Sequence, residues 1–334
     1  MPLLAVAADA QTAVTGLQRD VVFTDYSPFS RSPELLRRLL SPLIALRLQR
    51  GLESSGQIVR EQTIDLAQEK FAIYVPPRSP LGGYALFVFV PPWDEASVPQ
   101  AWTSALDRHG MILVSAANSG NAANVLDRRE PLALLAAQNI TQRYPVDPAR
   151  VYIGGFSGGS RVALRIALGY ADVFRGVLLS AGSDPIGDAQ IPLPPTDLFQ
   201  RFQESTRLVY LTGRNDATHL DMDARSRQSM QAWCVFNLRT EAMPWAAHEP
   251  ADAAAFDRAL DALGQSDKIN PDKLADCRAR IDTDLTSQLQ LVEALLAGSR
   301  ANDARTLLDK IDTHFGGLAA PRSIELSGKI DARH

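Results

Sequence analysis

Gly155-Phe156-Ser157-Gly158-Gly159 sets a serine among glycines where the apolar run Val151-Tyr152-Ile153 gives way to the helix-compatible residues 160–168. In a strand, tight turn, helix context this G-x-S-x-G spacing makes a nucleophile elbow. The turn would hold Ser157 strained at the carboxyl end of the strand, above the amino end of the helix. The glycines are required there because a Cβ would collide with neighbouring backbone. The chemistry this predicts is attack by the serine oxygen on an acyl carbon. A serine hydroxyl is a poor nucleophile near neutral pH, so it needs an imidazole within hydrogen-bond reach and a carboxylate to orient that imidazole.

The chain has five histidines. His109 ends a predicted helix just before a strand, at the opposite end of the sheet from the elbow, and His314 and His334 fall in the C-terminal tail. His219 follows the apolar run 208–212, close to where the acid belongs. His248, in Ala246-Ala247-His248-Glu249-Pro250, follows the last predicted strand and precedes a helix, and it is the expected base. For the acid, Leu211-Thr212-Gly213-Arg214-Asn215-Asp216 closes a buried strand with a turn at Gly213, and Asp216 is the first carboxylate beyond it. Asp221 and Asp223 follow in the same stretch and stay open as alternatives. The plain reading is that these are surface loop residues; the chain order serine, acid, histidine favours a triad of Ser157, Asp216 and His248.

The elements that must position these groups alternate regularly. Residues 20–24 read as a short edge strand, and residues 32–50, with leucines at helical spacing after Ser32-Pro33-Glu34, read as one amphipathic helix. The arginines of that helix read as a solvated face. Residues 57–65 and 70–75 read as a hairpin, and residues 84–90 as a strand buried on both faces. Strands then follow at 111–116, 151–153, 176–180, 208–212 and 236–243, with helices at 98–108, 128–144, 225–234 and 251–263. Such alternation predicts a mostly parallel sheet covered on both faces, with its working residues at the carboxyl ends of the strands.

Composition agrees with an enzyme-sized globular chain: 334 residues, 46% hydrophobic and 22% charged. A net charge of −4 argues for neither nucleic acid nor an anionic membrane as partner. No apolar run reaches the ~18 residues of a spanning helix. Residues 1–10 are apolar and end in Ala8-Asp9-Ala10, which resembles the end of an export signal, although no basic residue occurs before Arg19. The expectation is a periplasmic or secreted bacterial protein, with a plain N-terminal arm on a cytoplasmic protein as the alternative. Two cysteines, Cys234 and Cys277, cannot build a metal cluster, and no metal is expected. If the protein is exported they could pair as a disulfide; in the cytoplasm they would be buried thiols.

Residues 146–159, Val-Asp-Pro-Ala-Arg-Val-Tyr-Ile-Gly-Gly-Phe-Ser-Gly-Gly, resemble the elbow of the esterases related to polyhydroxybutyrate depolymerases and feruloyl esterases. Thr212-Gly213-Arg214-Asn215-Asp216 and His248-Glu249-Pro250 are similar to that group's acid and histidine loops, and the likeness spans residues 60 to 264. The resemblance implies an α/β-hydrolase fold and hydrolysis of a small-molecule or polymer-derived carboxylic ester through an acyl-enzyme, with no cofactor. The chain departs from the group at one place. Where those enzymes carry His-Gly, this chain reads Pro91-Pro92-Trp93-Asp94. Neither proline has an N–H to donate, which leaves the amide of Gly158 and the N–H of Trp93 as the expected oxyanion-hole donors, or Trp93 as a rim aromatic. That departure keeps a second function open: a hydrolase-fold scaffold, weak or inactive as a catalyst, that binds a ligand or protein.

Asn118 and Asn121 lie in a small polar loop at the active end and are candidates for substrate contact, against the alternative of a flexible loop. Residues 183–199, rich in Pro and Asp, read as a lid or specificity loop. Three segments result: an N-terminal arm or remnant of an export signal (1–19), an α/β catalytic domain (20–264) and a helical C-terminal extension (265–334). In the extension, residues 271–281, 285–298 and 301–314 read as helices and 324–330 as a weak segment, together a cap or a docking element for a partner protein.

Overall fold

The computed structural model describes residues 14–57, 60–265 and 269–332; the export-signal reading of residues 1–10 and His334 lie outside them. Strands β1 (Gly16–Val21), β2 (Phe71–Val75), β3 (Tyr84–Val90), β4 (Met111–Ala116), β5 (Val146–Phe156), β6 (Gly176–Ser180), β7 (Arg207–Gly213) and β8 (Leu238–Met243) form one sheet. Their order is β1-β2-β4-β3-β5-β6-β7-β8. The β1–β2 and β2–β4 pairs are antiparallel, and every other pair is parallel. All of Tyr-Ala-Leu-Phe-Val-Phe-Val in β3 is buried, which an unbroken apolar run permits only where both faces are covered.

On one face lie α3 (Thr103–His109) and α8 (Ala253–Gly264), where Trp102 stacks on Phe256 at 4.1 Å between ring centroids and donates its indole N–H to the Ala251 carbonyl at 2.8 Å. The other face is covered by α1 (Ser32–Leu39), α4 (Glu130–Arg143), α5 (Gly158–Gly169) and α6 (Thr196–Ser205), with α2 (Pro42–Ser54) and α7 (Ala217–Ala232) contributing Leu43 and Met230 to the same core.

Several expectations are corrected. Residues 32–50 are two helices, because Pro42 has no amide to continue α1 and holds Ser41 extended at φ −68°, ψ 150°. The edge strand runs from Gly16 rather than residue 20. The hairpin does not form: β2 pairs with β1 and β4, and of residues 57 and 60–65 only Gln62 makes a bridge, to Arg31. The stretch after β6 ends in α6, and α7 begins eight residues earlier than expected because Asp216 caps its amino end. Among the described residues no helix is long and apolar enough to cross a membrane.

The C-terminal extension is α9 (Pro271–Ala297), α10 (Ala301–Phe315) and α11 (Arg322–Asp331). Residues 271–281 and 285–298 merge into α9 because Asp282-Thr283-Asp284 contains no helix breaker. Val292, Leu308, Phe315 and Leu326 belong to the same apolar cluster as the sheet, so the extension shares the main core. Asp312 on α10 accepts the Leu43 amide at 3.0 Å and the Ser41 hydroxyl, tying it to the start of α2. Cys234 and Cys277 form a disulfide between the end of α7 and α9. The two cysteines are 43 positions apart, and closing a loop of that length gives about 4 kcal/mol of stabilisation. The paired change Cys234→Ala, Cys277→Ala is therefore expected to lower the unfolding free energy by that amount, read from the urea midpoint.

Candidate active site

Ser157 sits between β5 and α5 at φ +54°, ψ −124°, a conformation L-residues rarely adopt. Two glycines allow it. A Cβ on Gly155 would lie 2.3 Å from the Gly159 carbonyl carbon, and one on Gly159 would lie 2.0 Å from the Val90 oxygen, so α5 can approach the sheet only without side chains there. The Ser157 amide donates to the Ser180 carbonyl at 2.8 Å, which ties the elbow to β6.

His248, in the loop after β8, places Nε2 3.0 Å from Ser157 Oγ and Nδ1 2.7 Å from Asp216 Oδ2. An ionised carboxylate can only accept, so Nδ1 carries the proton and Nε2 is free to take one from the serine. The ring of His248 lies between Phe156, at 4.9 Å, and His219, at 4.2 Å and nearly parallel. The structure therefore brings together the three residues singled out by their order in the chain.

Asp216 lies just beyond β7. It is buried, caps α7, and accepts a second imidazole: His219 Nδ1 is 2.8 Å from Oδ1. Burial pushes the Asp216 carboxyl up, but the hydrogen bonds from His219 and His248 outweigh it and hold the group below its ordinary value. The two alternative acids are placed elsewhere. Asp221 is exposed and pairs with Arg225. Asp223 is buried and accepts the Ser183 and Thr212 hydroxyls, both at 2.6 Å; burial raises its carboxyl above the ordinary value despite those bonds.

The sequence placed His219 close to the acid, as the structure has it, but gave it no role there. A signal existed in Asp216-Ala217-Thr218-His219, which spaces a carboxylate and an imidazole three apart at a helix start. Asp216, His219 and His248 also offer ligand atoms within 4.8 Å of one another, a spacing open to a metal ion. In this arrangement both Nδ1 atoms are engaged by the carboxylate and His248 Nε2 by Ser157. His109 faces Asp257 at 3.2 Å and His314 packs on Trp233 at 4.9 Å, both apart from Ser157.

Gly158 is the first residue of α5, and its amide has no acceptor within the helix. Trp93 packs at a tilt against Phe89 and Phe156, and its indole N–H is turned to Ser97 Oγ at 3.4 Å. The segment carrying Pro91-Pro92-Trp93 is pinned. The Asn121 amide donates to the Pro92 carbonyl at 3.0 Å, Arg129 Nη2 donates to the Pro91 carbonyl at 2.9 Å, and the Asn118 amide donates to the Asp94 carbonyl at 2.7 Å. Asn121 and Asn118 part company. Asn121 borders Ser157 and Gly158 in a cleft of about 600 Å³, the size of a small-molecule site. Asn118 is exposed outside the cleft lining, with its carbonyl accepting Arg128 Nε at 2.7 Å.

No protein-family model matches the sequence, and no curated protein matches it. Among solved structures the chain is similar to S-formylglutathione hydrolase of Staphylococcus aureus at 12% identity and a TM-score of 0.44, over 59% of this chain and 91% of the other. It is similar to a ferulic acid esterase at 16% identity and a TM-score of 0.41, over 57% and 88%. An esterase of Thermogutta terrifontis gives 16% identity and a TM-score of 0.42, over 60% and 87%. Overlap this slight bears on neither activity nor substrate. The chain itself shows the fold: a mostly parallel sheet covered on both faces, with an elbow serine after β5, a carboxylate after β7 and a histidine after β8. This chain has the α/β-hydrolase fold.

Proposed function

We propose that the protein is a serine hydrolase of carboxylic esters. The observation that carries this reading is the single imidazole of His248 spanning Ser157 Oγ and Asp216. In the forward step Ser157 Oγ attacks the ester carbonyl carbon while its proton passes to His248 Nε2, and Asp216 stabilises the imidazolium. The oxyanion is held by the amides of Gly158 and Trp93. Collapse breaks the bond to the alcohol oxygen, which leaves with the proton from His248. Water then attacks the acyl-enzyme by the same route and frees the acid and Ser157. The acid, base and nucleophile are all supplied by the chain, so no cofactor is invoked, and the substrate is a small or polymer-derived ester. Labelling by a fluorophosphonate probe tests the reading, because it requires an activated serine whatever the substrate. Labelling lost in Ser157→Ala supports it, and no labelling of the wild-type protein overturns it.

The second reading, a binding scaffold on the same fold, draws its support from Pro91-Pro92, since loss of one oxyanion donor costs on the order of 10²–10³ in turnover. We also propose export to an oxidising compartment, periplasmic or extracellular, supported by the Cys234–Cys277 disulfide. Thiol counting under denaturing, non-reducing conditions on protein from its own host tests this, and two reactive thiols would overturn it.

His219 acts in this reading as a positioning residue on Asp216. His219→Ala is expected to lower kcat about tenfold, the weight of one charge-assisted hydrogen bond, with KM little changed. It has a second signature. A carboxyl held below its ordinary value adds stability above its unfolded pKa of about 3.9 and loses it as the pH falls through the folded value. Removing the His219 donor raises the Asp216 carboxyl, so the acid unfolding of the variant moves to higher pH. A merely steric role for His219 leaves that midpoint where it is.

A further inference from the structure

The cleft beside Ser157 carries more positive charge than its acids balance. Arg161 and Arg165 lie one turn apart on α5 and both line it. Each has a partner: Arg161 Nε donates to Asp184 Oδ2 at 2.5 Å, and Arg165 Nε to Glu130 Oε1 at 2.8 Å. These pairs alone would be explained as ties between α5 and the neighbouring segments.

Arg129, at the turn into α4, is different. It lines the same cleft, is 3% exposed, and has no carboxylate at ion-pair distance among the described residues. Its Nη2 donates to the Pro91 carbonyl and its Nη1 faces Asn121 Oδ1 at 3.5 Å, longer than an ordinary hydrogen bond, while Nε is buried without a partner. The nearest acids, Glu130 and Asp94, act on it only through space; burial disfavours its charged form more than they favour it. An unpaired buried guanidinium is costly, and such groups are normally matched by a carboxylate or a phosphate. Here the side from which a counter-ion can arrive is the cleft that holds Ser157, and Arg161, with nearly half its side chain exposed, stands at the same opening.

We propose that this cleft binds a carboxylate through Arg129 and Arg161. The ester hydrolysed at Ser157 then carries an ionised carboxyl group on the part that enters the cleft, as a half-ester of a dicarboxylic acid does. The second statement rests on the serine-hydrolase reading; the first does not.

The test uses the full-length Ser157→Ala protein, so that binding is read without turnover, with glutarate as probe and glutaramide as its neutral counterpart in titration calorimetry. Glutarate is expected to bind at least about tenfold more tightly than glutaramide, a difference of one charge-assisted contact. Adding Arg161→Gln or Arg129→Gln is expected to weaken glutarate at least about fivefold, since each removes a cation from the site. Arg161 is half exposed, so its variant reports even if the buried Arg129→Gln fails to fold. Equal affinity for the two probes, absence of glutarate binding, or binding unchanged in Arg161→Gln overturns the proposal. Glutarate binding in a protein whose wild type takes no fluorophosphonate leaves the carboxylate site standing and removes the hydrolase reading; fluorophosphonate labelling without glutarate binding does the reverse.

Discussion

Ser157→Ala is expected to lower kcat for a p-nitrophenyl short-acyl ester about 10⁶-fold, the scale on which nucleophile removal acts in a triad of this kind, or about 8 kcal/mol of transition-state stabilisation. The reason is geometric. The only hydroxyl within reach of His248 Nε2 in the described structure is that of Ser157, at 3.0 Å. Without it, the remaining rate comes from water acting against the oxyanion donors and the binding cleft. The fold should hardly register the change. Alanine and serine are equally strained at φ +54°, and the lost oxygen borders an open cleft. A shift in unfolding free energy within about 0.5 kcal/mol is expected. Wild-type turnover no faster than that of the variant would sink the esterase reading and leave the scaffold.

Asp216→Asn is the second large effect, with kcat expected to fall about 10⁴-fold. The amide offers one acceptor and one donor where the carboxylate offered acceptors to both His248 Nδ1 and His219 Nδ1. Whichever imidazole meets the NH₂ group must present a bare Nδ1. When that ring is His248, its proton moves to Nε2, which can no longer take one from Ser157. Two histidines competing for one carbonyl predict a specific non-additivity. The double variant Asp216→Asn, His219→Ala frees the carbonyl for His248, and its kcat is expected to exceed that of Asp216→Asn by about tenfold. Additive losses in the double variant would show that His219 does not share the carboxylate.

The elbow was legible because its constraints are local. Gly155 and Gly159 are required by contacts within five residues and with one adjacent strand, and the apolar runs at 84–90, 111–116 and 176–180 are strands in the structure with those same bounds. The break at Pro42 was equally local, since a missing amide and an extended Ser41 follow from the residue type, yet the leucine periodicity of residues 32–50 masked it. The hairpin expected from 57–65 and 70–75 failed for a non-local reason: β2 finds its partners in β1 and β4, far along the chain.

By itself the sequence determined the strand, elbow and helix that carry Ser157, and the order in which an acid and a base follow it. Those features depend on backbone sterics and on which residues tolerate burial, and both are written in neighbouring positions. Only the tertiary structure decided that Asp216, and neither Asp221 nor Asp223, meets His248, and that His219 shares its carboxylate. It also decided that Arg129 is buried without an ion-pair partner among the described residues, in the cleft that holds the nucleophile, and that the C-terminal helices complete the main core. Each of these rests on side chains from distant segments meeting across a few ångströms, and spacing along the chain holds no record of that distance.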